Sequence, residues 1–316
     1  MAIRPPSTKQ KEAKAAQEKK AISEAAKIVL ARRDLVAFAE TVLQDENGQL
    51  IKAAPIHQSW WDHLQYCWMI KKASLNLAPY AHGKSAWMAL ALPLWLLGQN
   101  PNFRIMMVSS AEDIAAKRLQ KISEYIQRSK EYHKVFPWVQ FENSKQNNAH
   151  ALNVVRTGQR GGMTGSIDHS MSAYGYTSSE GQGSRCDVLI FDDVCDEKNS
   201  CISPATRKNL LGLVTTQWLP RAARPTQDEQ PLKARDGKII SKKSIICVIG
   251  TRFHEEDLYG FMMDSPSAYC SMIQGVSDDY SHLDCTIIGA LKNPPHPVIT
   301  KWREYVPKPV EQQEAA

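Results

Sequence analysis

The chain has 316 residues, a formal net charge of +6, 43% hydrophobic and 23% charged residues. That composition is ordinary for a soluble globular protein with one large or two modest domains. Seven cysteines, an odd number with no C-x-x-C pair, argue against a zinc site or a disulfide framework and for a reducing setting.

The first 20 residues are charged and lack an apolar h-region, so no signal peptide is expected. The most apolar run, Ala86 to Leu97, is about a dozen residues, against the roughly 20 needed to span a bilayer. Residues 1–33 hold nine basic and three acidic side chains, so the charge excess sits there and 34–316 balance. Such a basic arm suits nucleic acid or another anionic partner, or equally a solvated helix. Lys9 to Ala31, rich in Ala, Lys and Glu, reads as that helix.

Asp34 is placed to cap a helix over Leu35 to Leu43, with Leu35, Phe38, Ala39 and Val42 on one face. Asp45 to Gly48 is a turn. A further helix follows Pro55 and runs to about Lys71; its Trp60, Trp61 and Trp68 suit a core. Ser74 to Leu77 reads as a strand, Ala78 to Gly83 as a loop, and Lys84-Ser85 as the start of an apolar helix.

Strand, loop, Gly-Lys-Ser and helix is the plan of a phosphate-binding loop. Backbone N–H groups and the helix dipole converge on one point there. Pro79, Tyr80, Ala81, His82, Gly83, Lys84 and Ser85 would form the cradle for ATP, with Lys84 on the phosphates and Ser85 on Mg²⁺. The usual pattern has Gly where this chain has Ala78. An ordinary strand–turn–helix with a surface lysine fits that tripeptide too.

Arg104 to Ser109 is a buried-type strand, and Ala111 to Arg128 a helix with Ile114, Leu119, Ile122 and Ile126 as its apolar face. This alternation predicts a parallel sheet. Lys130 to Asn148 reads as irregular, Leu152 to Val155 as a possible strand, and the glycine-rich stretch 158–185 as edge hairpins and a loop.

Val188 to Phe191 is an apolar strand ending in Asp192 and Asp193, the Walker B form. The first acid suits Mg²⁺ through its water shell, and the second suits polarising an attacking water. Two adjacent carboxylates call for a nearby cation. Ser244 to Ile249 is another strand, ending in Gly250-Thr251. There the Thr251 hydroxyl can face a γ-phosphate. Residues 254–257 read as a helix N-terminus.

Three stretches together resemble the large terminase subunit of tailed bacteriophages. They are Ala78 to Ser85, Leu189 to Asp193, and Thr251-Arg252-Phe253-His254-Glu255-Glu256-Asp257-Leu258-Tyr259-Gly260. Asp34 to Phe38 and His57-Gln58 add to the likeness, which spans roughly residues 30–305.

The resemblance implies an ATP-driven motor that moves double-stranded DNA into a procapsid, working in the host cytoplasm. It also implies the portal protein and the small terminase subunit as partners, and a homo-oligomeric ring on the portal. The implied fold is an α/β P-loop NTPase of RecA-like kind, its mostly parallel sheet flanked by helices behind a helical lead-in. The implied domains are a basic arm (1–33), an ATPase domain (34–290) and a Pro-rich segment (291–316).

In such motors a Gln before the first strand reads adenine, and Gln58 stands there. Lys84 and Ser85 take the phosphate and Mg²⁺ roles, Asp192 is the Mg²⁺ acid, Asp193 the catalytic base, and Thr251 sits in the coupling motif. Relatives carry an arginine where this chain has Tyr80, and another where it has Gln182. Arg185 and Arg252 are the candidate substitutes. Relatives also carry a nuclease domain, and no nuclease activity is expected of this chain. A helicase-like translocase is an alternative. Ala78, Tyr80 and Gln182 motivate another, a catalytically weak assembly module.

Overall fold

A computed structural model describes residues 22–143, 147–156, 168–180, 183–222, 231–241, 243–276 and 283–298. Residues 1–21 of the basic arm, the stretch 158–167 and Gln182 lie outside it. Helix α1 covers 22–33. Asp34 then caps α2 (Leu35–Val42), accepting from Ala37 N at 2.8 Å. α3 (Pro55–Ile70) opens on a proline, whose missing N–H costs nothing in a first turn.

An eight-stranded mixed sheet follows, in the order β10-β9-β1-β8-β5-β2-β4-β3. Its strands are β1 (Ala73–Leu77), β2 (Ile105–Ser109), β3 (Ala151–Leu152), β4 (Met171–Gly175), β5 (Val188–Asp192), β8 (Ile245–Gly250), β9 (Tyr269–Val276) and β10 (Leu283–Ile288). The inner pairs are all parallel; β3 and β10 run antiparallel at the two edges. A separate hairpin joins β6 (Leu232–Lys233) and β7 (Ile239–Ser241).

Successive strand residues serve opposite faces, as the pleat requires. Ile105, Met107, Val188, Ile190, Cys247 and Ile249 enter one core with α2, α3, the helix after the loop and α6 (Lys130–Val135). Leu75, Leu77, Met106, Leu189, Phe191 and Val248 enter the other with α8 (Pro204–Leu213), which follows the short α7 (Glu197–Ser200), and with Trp218 and α9 (Leu258–Met263). Both faces are covered, so the central strands β2, β5 and β8 read as near-continuous apolar runs.

The helix after Lys84 begins as a π-helix over Ser85–Ala91 and tightens into α4 (Leu92–Gln99). Pro93 has no N–H to close the preceding turn, and Leu92 N bonds Trp87 O, five residues back.

Several expectations are corrected. Lys130–Val135 is helical, not irregular: Ser129 caps it by accepting from Tyr132 N, and Tyr132 and Val135 are buried. In α5 (Glu112–Arg128), Leu119, Ile122 and Ile126 are buried, but Ile114 is 40% exposed. Within 158–185, Met171–Gly175 is no edge hairpin but a fully buried parallel strand beside β2. β9 and β10 extend the sheet where no strand was expected. Residues 291–298 pack back on α3, with His296 and Val298 buried.

Candidate functional site

β1, β8 and β5 are neighbours, and their carboxyl ends bring together Lys84, Thr251, Asp192 and Asp193. In open parallel sheets ligands bind at that edge. The loop after β1 needs two left-handed residues, Ala81 at φ 62° and Gly83 at φ 75°. Gly83 adopts this freely; a side chain there pays about 1–2 kcal/mol, as Ala81 does.

Lys84 turns back on its own loop. Its Nζ donates to Ala78 O and Pro79 O, each at 2.9 Å, and to Thr251 Oγ1 at 2.8 Å. All three ammonium donors are engaged. Burial lowers the Lys84 pKa, opposed by the charges of Asp193 and Asp192.

Ser85 Oγ donates to Asp192 Oδ1 at 2.8 Å. Two oxygens bound side by side on an octahedral Mg²⁺ at about 2.0–2.1 Å lie roughly 2.9 Å apart, so this pair fits that ion. Asp193 sits at φ 46°, and its Oδ1 accepts from Thr251 N at 3.1 Å. Burial first, then the Asp192 charge, raises the Asp193 carboxyl above its ordinary value; Lys84 and the Thr251 N–H pull it back.

The loop is held from outside by His57. Its Nδ1 accepts from Ala54 N at 2.9 Å, so Nε2 carries the proton and donates to His82 O at 3.1 Å. The imidazole stacks on Trp87 with centroids 4.3 Å apart. His82 Nδ1 bonds Tyr80 O at 2.8 Å, while the Tyr80 ring is 82% exposed. Gln58 bonds Asp62 within its own helix at 2.9 Å.

Neither proposed arginine substitute touches these groups through the contacts it makes. Arg185 is exposed, and its backbone N donates to Asp168. Its near neighbour in sequence, Asp187, is paired with Arg104 at 3.0 Å. The Arg252 guanidinium reaches Glu255 O at 3.1 Å. Among the described residues, the arginine that does enter is Arg118 of α5, whose Nε lies 3.2 Å from Asp192 Oδ2. Nothing in the sequence pattern sets Arg118 apart from the other charges of that helix.

The Thr251–Gly260 stretch is built around Asp257. Its carboxylate caps α9, accepting from Gly260 N, Phe253 N and His254 N at 2.9 to 3.3 Å. Glu256 pairs with the buried Arg207 at 2.8 Å.

No protein-family model matches the chain, and no curated protein matches it. Among solved structures, it is similar to the crystal structure of the HK97 bacteriophage large terminase, with a TM-score of 0.51 at 13% identity. The likeness covers 78% of this chain and 44% of that one. At that identity it is a likeness of fold: the chain has a terminase-like α/β fold. The chain spans less than half the length of that terminase. No described helix is long and apolar enough to cross a membrane.

Among the described residues, two other clusters have metal-ligand composition. In the first, His63, Cys67 and Cys270 are all buried. There His296 Nδ1 accepts from Val298 N at 3.1 Å, so His296 Nε2–H donates to His63 Nδ1 at 2.8 Å. His63 Nε2–H then donates to Cys270 O at 3.1 Å. That chain leaves His63 no lone pair for an ion. The second, Glu112, His150 and Glu180, ties α5 to β4: Glu112 accepts from Gly175 N at 2.7 Å and pairs with His150 at 3.0 Å.

Proposed function

We propose that the chain is the ATP-hydrolysing domain of a viral DNA-packaging motor, with a P-loop, RecA-like core. The observation that carries this is the convergence of Lys84, Ser85, Thr251, Asp192 and Asp193 at the carboxyl ends of three adjacent parallel strands. The insertion of β8 between the loop strand β1 and the acid strand β5 supports the RecA-like reading. The terminase-like fold supports the packaging one.

In this reading Ser85 and Asp192 hold Mg²⁺, which screens phosphate charge when bound. Lys84 leaves its loop carbonyls for the β- and γ-phosphates. Asp193 orients the attacking water and takes its proton. Thr251, bonded to Lys84 by its side chain and to Asp193 by its backbone, reports nucleotide state to β8 and α9. The loop cradles the triphosphate, and Gln58 stands on the helix that His57 ties to that loop. Double-stranded DNA, the portal protein and the small terminase subunit are the partners this reading assigns, with assembly into a ring on the portal.

The test is MgATP turnover by the purified chain, with and without duplex DNA, beside Lys84→Ala. Turnover in wild type and its loss in Lys84→Ala is the expected result. ATP binding without turnover would favour an assembly module instead. Strand displacement on a forked substrate would favour a helicase-like translocase.

A further inference from the structure

Asp192 is 1% exposed, and both its carboxylate oxygens are taken, Oδ1 by Ser85 and Oδ2 by Arg118. The pair with Arg118 is lopsided: the arginine side chain is 41% exposed against 1% for the aspartate. The guanidinium is thus anchored through Nε at the rim of the site, with solvent on its other side.

Lys84 and Arg118 together balance Asp192 and Asp193. A magnesium ion on Asp192 would meet the guanidinium as a like charge a few ångströms away, which costs energy in a half-buried site. MgATP brings net negative charge beside it. Both effects drive the guanidinium from the carboxylate toward the phosphates. Its planar fork suits phosphate oxygens as well as carboxylate ones. Meanwhile Tyr80 stands where a loop arginine was expected, Arg252 is bound to the Glu255 carbonyl in the turn ahead of α9, and Arg185 is exposed beside Asp168.

We propose that Arg118 is the catalytic arginine of this site: it holds Asp192 before nucleotide arrives, yields it to Mg²⁺, and then neutralises the transferring γ-phosphoryl group. This rests on the ATPase reading. In the step itself, water oxygen bonds to the γ-phosphorus and its proton passes to Asp193. The bond to the bridging oxygen breaks with its electrons leaving on ADP. Arg118 donates hydrogen bonds throughout and transfers no proton.

The experiment compares wild type, Arg118→Ala, Arg118→Gln and Lys84→Ala. It measures MgATP turnover, and binding of a fluorescent ATP analogue across a Mg²⁺ titration. Arg118→Gln keeps the aliphatic stem if the alanine variant folds poorly. Turnover should fall about 10³-fold in the Arg118 variants, within the range for removing such an arginine. Nucleotide affinity at saturating Mg²⁺ should stay within about threefold, because mainly the transition state is served. The Mg²⁺ needed for half-maximal nucleotide binding should drop severalfold, since no guanidinium competes for Asp192. Wild type that neither binds nor hydrolyses ATP overturns the ATPase reading and this inference with it. An active wild type with turnover unchanged in Arg118→Gln overturns the inference alone. So does reduced turnover with an unchanged Mg²⁺ midpoint, which would mark a mere helix-packing role.

Discussion

Ser85 and Asp192 stand 107 positions apart in sequence, yet the Ser85 hydroxyl reaches Asp192 Oδ1 at 2.8 Å. The helix after the loop and the end of β5 are thereby joined through the atoms assigned to the metal. Ser85→Ala removes a proposed Mg²⁺ ligand and leaves a buried charged acceptor short of one hydrogen bond. The unmade bond should cost roughly 1–3 kcal/mol of stability, and the Mg²⁺ midpoint for turnover should rise about tenfold. Urea unfolding and a Mg²⁺ titration read the two effects separately. An unchanged Mg²⁺ midpoint would remove Ser85 from the metal site.

Asp193 has a raised carboxyl pKa, from burial first and then from the Asp192 charge. The folded chain therefore holds this proton more tightly than the unfolded chain does. The stability this group contributes is present at low pH and is lost as pH rises through the folded pKa. Asparagine stays neutral, keeps an acceptor for the Thr251 N–H, and tolerates the left-handed backbone. Asp193→Asn should thus be more stable than wild type near neutral pH, with the difference closing toward acid. Its turnover should fall about 10²- to 10⁴-fold if Asp193 is the base. Equal melting points at neutral pH would contradict the electrostatic account, and full activity would contradict the role.

His63 and His296 behave in the opposite sense. Burial lowers the first to about 3, with help from the second, and lowers His296 to about 4. Both are neutral in the fold and protonate more readily once it opens. Their contribution is present above the ordinary histidine value and is lost as pH falls from there toward the lowered values. Stability should decline from about pH 6.5 downward, as the relay joining α3, β9 and residues 296–298 is forced to charge. His296→Gln should flatten that slope in urea titrations near pH 7.5 and pH 5. A slope unchanged by the substitution would assign acid sensitivity elsewhere.

The strands nearest the site were legible because each is a short apolar run closed by a chemical marker. β1 ends before Gly83-Lys84-Ser85, β5 in Asp192-Asp193, and β8 in Gly250-Thr251. β4 was not, because Met171-Ser-Ala-Tyr-Gly175 has one long aliphatic side chain and sits in a glycine-rich setting. Its strand state comes from pairing with β2 and from Glu112 accepting from Gly175 N. β9 hid similarly, since Ser271 and Gln274 are polar but buried; Gln274 bonds Trp60 and Ser59 of α3. Arg118 was illegible for a different reason. A charge on an amphipathic helix is normally a solvated one, and only the sheet brings Asp192, 74 positions away, beside it. Gln58 and His57 show the limit of motif spacing: the histidine, not the glutamine, bonds the loop.

The glycine ending β8 has a steric reason as well as a motif one. A Cβ on Gly250 would overlap the hydroxyl and ring of Tyr259, which is fully buried. That ring cannot simply withdraw, because its hydroxyl accepts from Cys195 N at 3.3 Å and its body fills the core under α9. Overpacking of this kind costs about 1–3 kcal/mol, so Gly250→Ala should lose about that much in urea unfolding. The strain would also reach the next residue, Thr251, whose hydroxyl holds Lys84 at 2.8 Å. ATP affinity should therefore weaken even though Gly250 has no side chain in the site. Tyr259→Phe leaves the ring in place and should not relieve the clash, whereas Tyr259→Leu should. In a double-mutant cycle, Gly250→Ala with Tyr259→Leu should then lose less stability than the two single losses added together. Strict additivity would mean that Gly250 and Tyr259 do not compete for the same space.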